Sequence, residues 1–270
     1  SRFILLMAAF AIIFSGLIAW NFVNHREERI NAAMAELFGQ ARVIAARQQF
    51  IVARADAILN GLMQRPELRP GASTGACAQL LSAQLKQYKE FIQIGRTLPG
   101  GEIDCAAVPA QGHVSFADRS WYQSAIRSRN IVVSEVLKGR IQGVSILAIA
   151  KAMRDDSSRV TGVLFLGLDL AWLHRELAAT RLQEGAWMTV VDAKGIVAMR
   201  LPDGEGLIGK SVENLPLLQR IHAAGGEGVA EDIGLDGERR LFAYAKLLDT
   251  ISGPMYVWLT VPKDLIEAPV

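Results

Sequence analysis

The chain has 270 residues, 51% hydrophobic and 21% charged, a balance that excludes a disordered tail and leaves room for one large domain or two of ordinary size. A net charge of only +2, with Lys and Arg scattered among acids, gives no basic stripe for a nucleic acid. There is no Gly-x-Ser-x-Gly elbow, His-Glu-x-x-His pair or phosphate-cradling loop, and the four His residues show no ligand spacing, so neither an enzyme nor a metal or other cofactor is expected.

Hydrophobicity is concentrated at the start. Phe3 to Trp20, "FILLMAAFAIIFSGLIAW", carries no charge and approaches the roughly 20 apolar residues of a membrane-spanning helix. The run is longer than a signal-peptide core, and no small-x-small cleavage site precedes "NHREERI". Residues 1–20 are therefore read as a retained transmembrane helix. Residues 21–66 follow as a long juxtamembrane helix, with Ile30, Met34, Leu37, Ile44, Ile51 and Ile58 at helical spacing and Gly39 as an early interior glycine. At 1.5 Å per residue it spans about 60 Å. The stretch "RPELRPGASTG" ends it, because two prolines and a Gly/Ser/Thr cluster cannot continue a helix.

After a short helix, Ala76 to Tyr88, the periodicity changes to two. Strands are expected over Phe91–Thr97, Glu102–Val108, Ile131–Leu137, Val144–Met153 and Gly162–Leu170, with "LPGGE" turning the first hairpin. Helices are expected over Ser120–Arg127 and from Trp172. The order then returns: a hairpin in "AWMTVVDAKGIVAMR", a helix in "VENLPLLQRIHAA", and strands in "GVAEDIG", "ERRLFAYAKLL" and "MYVWLTVP". This is an internal repeat at the scale of a module, 67–181 and 182–262. Residues 263–270 read as the start of a link toward a second transmembrane helix outside this chain.

The stretch "FADRSWYQSAI", Phe116 to Ile126, breaks the pattern of plain apolar strands. Arg119 offers a planar fork for a carboxylate, Trp121 an indole N–H and an apolar wall, and Tyr122 a ring and a hydroxyl. Asp169, at the end of "LFLGLDL", could pair with an ammonium group across a ligand. Each also has a plainer use: a surface Arg beside two core aromatics, and for Asp169 the N-cap of the next helix. Asp118 reads as the N-cap of its own helix. Arg140 and Gln142, in "KGRIQG", are either further polar contacts or solvated hairpin residues. Asp236 and Gly237 read as turn chemistry. Cys77 and Cys105 are either buried free thiols or, in an exported domain, a disulfide closing a loop of about 30 residues.

The Arg119-x-Trp121-Tyr122 run, the acid at Asp169, the long helix and the tandem modules resemble the double Cache family of bacterial extracytoplasmic sensor domains. The resemblance implies an α+β fold: a long N-terminal helix and two PAS-like modules, each a five-stranded antiparallel sheet with flanking helices. It implies a pocket in the first, membrane-distal module, lined by Arg119, Trp121, Tyr122, Asp169, Arg140 and Gln142, for a small carboxylate, amino acid or amine. It also implies a Cys77–Cys105 disulfide, a homodimer, a periplasmic location on the bacterial inner membrane, and coupling to a cytoplasmic histidine kinase or diguanylate cyclase rather than a chemotaxis module. Val114 stands where the amino-acid-binding pattern has a Tyr, which favours a simple carboxylate, a larger amine or another metabolite. The other reading is a structural or partner-binding ectodomain that senses a protein-borne signal without a small ligand.

Overall fold

The computed structural model describes residues 2–69, 71–202, 204 and 206–268, and most side chains before residue 24 lie outside that description. Helix α1 (Arg2–Met63) is continuous over 62 residues and stops at a 3-10 turn, Pro66–Leu68. The expected membrane span, Phe3 to Trp20, falls largely on side chains outside the described set. Among the described residues no helix is long and apolar enough to cross a membrane. Helix α2 (Thr74–Leu85) is tied to the next sheet by a buried Cys77–Cys105 disulfide, with Cα atoms 6.1 Å apart.

The first sheet contains β1 (Phe91–Thr97), β2 (Ile103–Ala106), β3 (Val132–Val133), β4 (Leu137–Lys138), β5 (Ser145–Arg154) and β6 (Val160–Asp169), crossed by α3 (Ser120–Arg127) and followed by α4 (Leu170–Ala178). Its order is β2-β1-β6-β5-β3, with β4 also pairing with β5. The second sheet contains β7 (Trp187–Val191), β8 (Val197–Leu201), β9 (Gly228–Ile233), β10 (Arg239–Thr250) and β11 (Gly253–Pro262), with α5 (Pro216–Ala223) before β9 and α6 (Lys263–Glu267) after β11. Its order, β8-β7-β11-β10-β9, repeats the first, and every pairing is antiparallel.

The first sheet has six strands rather than five, because the expected strand Ile131–Leu137 is split. Ser134 takes over the ladder there: its Oγ accepts from the Ala148 N–H at 2.8 Å and donates to the Glu135 carbonyl at 2.6 Å. A side-chain bond in place of a backbone one interrupts the pairing. The second strand is shorter than the expected Glu102–Val108 for a similar reason. Beyond Ala106, both polar atoms of the Gln93 amide bond the backbone of Val108, at 2.9 and 3.0 Å.

Alternation along each strand sets two apolar layers. Leu164, Leu166 and Leu168 of β6 and Leu241, Ala243 and Ala245 of β10 share one core with the buried face of α1, Leu37, Ile44, Ile51 and Leu59. The helix is thus the spine of both sheets, and burial against them accounts for its apolar stripe. On the opposite face of the first sheet, Val163 and Phe165 pack with Phe116, Trp121 and Tyr122. On that face of the second, Phe242, Tyr244, Tyr256 and Trp258 pack under α5.

Candidate functional site

Helix α3 is strongly amphipathic, with Trp121, Tyr122 and Ala125 inward. Trp121 is 1% exposed, its ring centroid 5.1 Å from that of Phe116 and 5.5 Å from that of Phe165. Gly95 makes this stack possible, since a Cβ there would lie 2.5 Å from the Phe165 ring. The Tyr122 hydroxyl donates to the Pro99 carbonyl at 2.6 Å, in the β1–β2 turn, and burial pushes its pKa up.

Beside this stack is a small cavity whose wall includes Gln93, Arg119, Trp121, Arg140, Gln142 and Phe165. Its free space is about 20 Å³, room for about one water. The ionisable groups on the wall are two guanidiniums, of which Arg140 is paired with Asp118, so Arg119 is the charge that suits an anion. Arg119 occupies the N-cap position of α3 and donates through one Nη to the Lys138 carbonyl at 3.3 Å. Its Nε is buried without a hydrogen-bond partner. An orphaned donor of this kind is unfavourable by about 1–3 kcal/mol until something accepts from it.

The loop carrying Arg140 and Gln142 closes the cavity. Arg140 grips Asp118 through both carboxylate oxygens, at 2.5 and 2.6 Å, and also donates to the Ser115 carbonyl. That bidentate bond holds the Asp118 carboxyl down at about 2. Asp118 is therefore not the N-cap of α3, because the guanidinium claims both of its oxygens and no side chain caps the helix. Gln142 donates to the Ile92 carbonyl at 2.7 Å, fastening the loop to β1.

Asp169 caps α4, its Oδ1 accepting from the Ala171 N–H at 2.9 Å, while its Oδ2 lies 3.8 Å from Arg175. It lies on the same face of β6 as Phe165, paired with Ile146, yet does not line the cavity. Arg119, Trp121, Arg140 and Gln142 therefore meet at one cavity, whereas Tyr122 and Asp169 stand beside it with other partners. Sequence reasoning missed Gln93 and Phe165. A Gln inside the apolar strand "FIQIGRT" was the available signal for the first.

The second sheet reaches this region through the β10–β11 turn. The Ile251 N–H donates to the Val133 carbonyl at 2.8 Å, and its side chain packs against the aromatic cluster. Glu135 accepts from Ser120 Oγ at 2.8 Å and from Ser252 Oγ at 3.4 Å, bridging the start of α3 to the same turn. In the second sheet Asp236 and Gly237 form a turn, with Gly237 at φ +83° and Asp236 held by Arg240.

A Cache domain family model matches residues 23–270. Among solved structures, the chain is similar to the extracellular domain of rpHK1S-Z16, a protein assigned as a histidine kinase. That match has a TM-score of 0.73 and 16% identity, over 89% of this chain and 98% of the other. It is also similar to the ligand-binding domain of the Pseudomonas fluorescens chemoreceptor CtaA in complex with L-isoleucine, at TM-score 0.66 and 21% identity over 89% and 95% of the two chains. A third match is the ligand-binding domain of the Pseudomonas aeruginosa amino-acid chemoreceptor PctB with L-Arg, at TM-score 0.68 and 17% identity over 86% and 89%. No curated protein matches the chain in sequence.

Proposed function

The chain belongs to the Cache domain family, a ligand-binding rather than catalytic module of membrane receptors, and on that premise we propose that it senses a small carboxylate or amino-acid-like metabolite in its first module. The observation that carries this reading is the buried, unpartnered Nε of Arg119, a residue that lines a small cavity together with Arg140. A ligand carboxylate supplies the missing acceptor, and Trp121 and Phe165 supply an apolar wall. The bound amino acids of CtaA and PctB support the size and class of ligand. Entry requires the 138–143 loop to lift, so Arg140 and Gln142 act as a latch that the ligand rearranges. An ammonium group of the ligand would have to draw Asp169 Oδ2 from Arg175, and Tyr122 positions Trp121 through its bond to the β1–β2 turn.

In this reading the receptor sits in the bacterial inner membrane, with residues 1–20 as its anchor, module 67–181 distal and module 182–262 proximal in the periplasm. The output is a cytoplasmic histidine kinase or diguanylate cyclase. Two features support the route to the membrane. Arg26 of α1 meets Glu267 of α6 at 2.5 Å, and Arg29 donates to the Glu267 and Ala268 carbonyls, so the entering and leaving ends of the domain are clasped together. On the outer face of α1, Val43 and Phe50 are 71% and 67% exposed and seven residues apart, a spacing suited to a parallel second copy.

The test is a thermal-shift screen of the chain against amino acids, amines, and mono- and dicarboxylates, repeated with Arg119→Ala. At a hundredfold excess over Kd a ligand adds about 2.7 kcal/mol. A stabilising carboxylate whose effect disappears in Arg119→Ala is the expected result. No hit with folded protein would move the reading to a protein-borne signal.

A further inference from the structure

A second and larger space, about 540 Å³, lies between the two sheets, within the range of small-molecule sites. Leu147 and Leu173 wall it from the first sheet and α4, and Val190, Met199 and Met255 from the second sheet. At its edge Val136 and Ile208 remain 39% and 54% exposed. Aliphatic surface left in water favours an apolar occupant by roughly 25 cal/mol for each Å² it covers.

The ionisable residues on this wall are Glu135, His174, Asp192 and Lys194. Asp192 is turned into its own turn, its Oδ1 accepting from the N–H groups of Lys194 and Ile196 at 2.9 and 2.8 Å. Lys194 is exposed on the same turn. Glu135 differs, since its two oxygens accept only from the neutral hydroxyls of Ser120 and Ser252 among the described residues. For a partly buried carboxylate beside an apolar cleft, with hydroxyl partners and no cation, a cation is the best complement.

We propose that this cleft is a second binding site, taking a primary amine with an apolar body of roughly six to ten carbons. The ammonium group bonds Glu135, and the body lies against Leu147, Met199 and Met255. Because the ammonium draws Glu135 toward the cleft and away from the hydroxyls of Ser120 and Ser252, occupancy loosens the tie between α3 and the β10–β11 turn. The cleft and the Arg119 cavity then modulate each other's affinity reciprocally.

The experiment is calorimetric titration with hexylamine, hexan-1-ol and hexanoate, the three compared in Arg119→Ala so that a carboxylate taken by the other cavity does not enter the comparison. Hexylamine is expected to bind more tightly than either analogue and to lose at least tenfold in affinity in Glu135→Gln. Ala198→Trp, which fills the cleft, is expected to abolish binding, and Ser145→Trp, at an exposed position on its rim, does the same without touching the core. Arg119→Ala is expected to retain hexylamine binding to within a few-fold, separating this site from the cavity above. Equal binding of hexan-1-ol or hexanoate, retention in Glu135→Gln, loss in Arg119→Ala, or no binding of hexylamine to folded protein would each overturn the proposal.

Discussion

The backbone N–H of Ile251, in the β10–β11 turn of the second sheet, donates to the carbonyl of Val133 in the first, and the Ile251 side chain packs against the aromatic cluster that walls the Arg119 cavity. A movement of α3 or β3 is therefore felt directly at the β10–β11 turn, whose second strand runs on to α6. Transmission by packed contact of this kind requires two discrete arrangements of the interface.

Ile251→Ala is expected to reduce stability by about 1 kcal/mol, since a partly buried side chain loses three carbons. In an intact receptor it reduces signal amplitude more than ligand affinity. Titration calorimetry beside a reporter assay reads both, and a proportional loss of the two would remove Ile251 from the transmission route.

Asp118 carries a pH prediction. Its folded pKa, about 2, lies below the ordinary 3.8 because Arg140 holds the ionised form. The stabilisation is therefore present above about pH 4 and is lost as pH falls toward 2. An NMR titration should place the Asp118 carboxyl midpoint near 2, moving up in Arg140→Gln. A midpoint near 4 in the unmodified chain would mean that the latch is open in solution.

Asp169 combines a cap with a candidate ligand contact, and two substitutions separate them. Asp169→Ala removes the cap and is expected to reduce stability by about 1 kcal/mol. Asp169→Asn retains the capping oxygen but not the charge. If the ligand carries an ammonium group, Asn weakens its binding while chemical denaturation shows stability held.

Removing the disulfide as Cys77→Ala/Cys105→Ala releases a loop with a separation of 28 residues. The chain-entropy estimate is a loss of about 3–4 kcal/mol. Urea titration of the oxidised chain and of the double variant measures it, and an equal midpoint would mean that α2 is held to β2 by packing alone.

Most strands were legible because period-two alternation places Leu164, Leu166 and Leu168 on one face and Val163 and Phe165 on the other. The break at Ser134 was not, since a hydroxyl replaces a backbone partner only where the chain happens to bring Ala148 opposite it. The site was legible in part. "RSWY" marks the helix and its inward aromatics, but whether a guanidinium faces a cavity or a carboxylate depends on loops far apart in sequence. Hence Arg119 kept an unmet donor while Arg140 took Asp118, and the expected cap at Asp118 proved to be an ion pair. For Asp169 the capping alternative was visible in "LDLAWLHRELA", because an N-cap is a local property.

Helix α1 lends one continuous apolar face to both sheets. The sequence repeat that divides the chain near residue 181 is therefore not a seam along which it can be cut into autonomous halves. Either sheet expressed without the helix would leave its inner leucines uncovered, so the whole is expected to melt as one cooperative body. A domain built this way is not expected to lose order in one module while the other stands by unaffected.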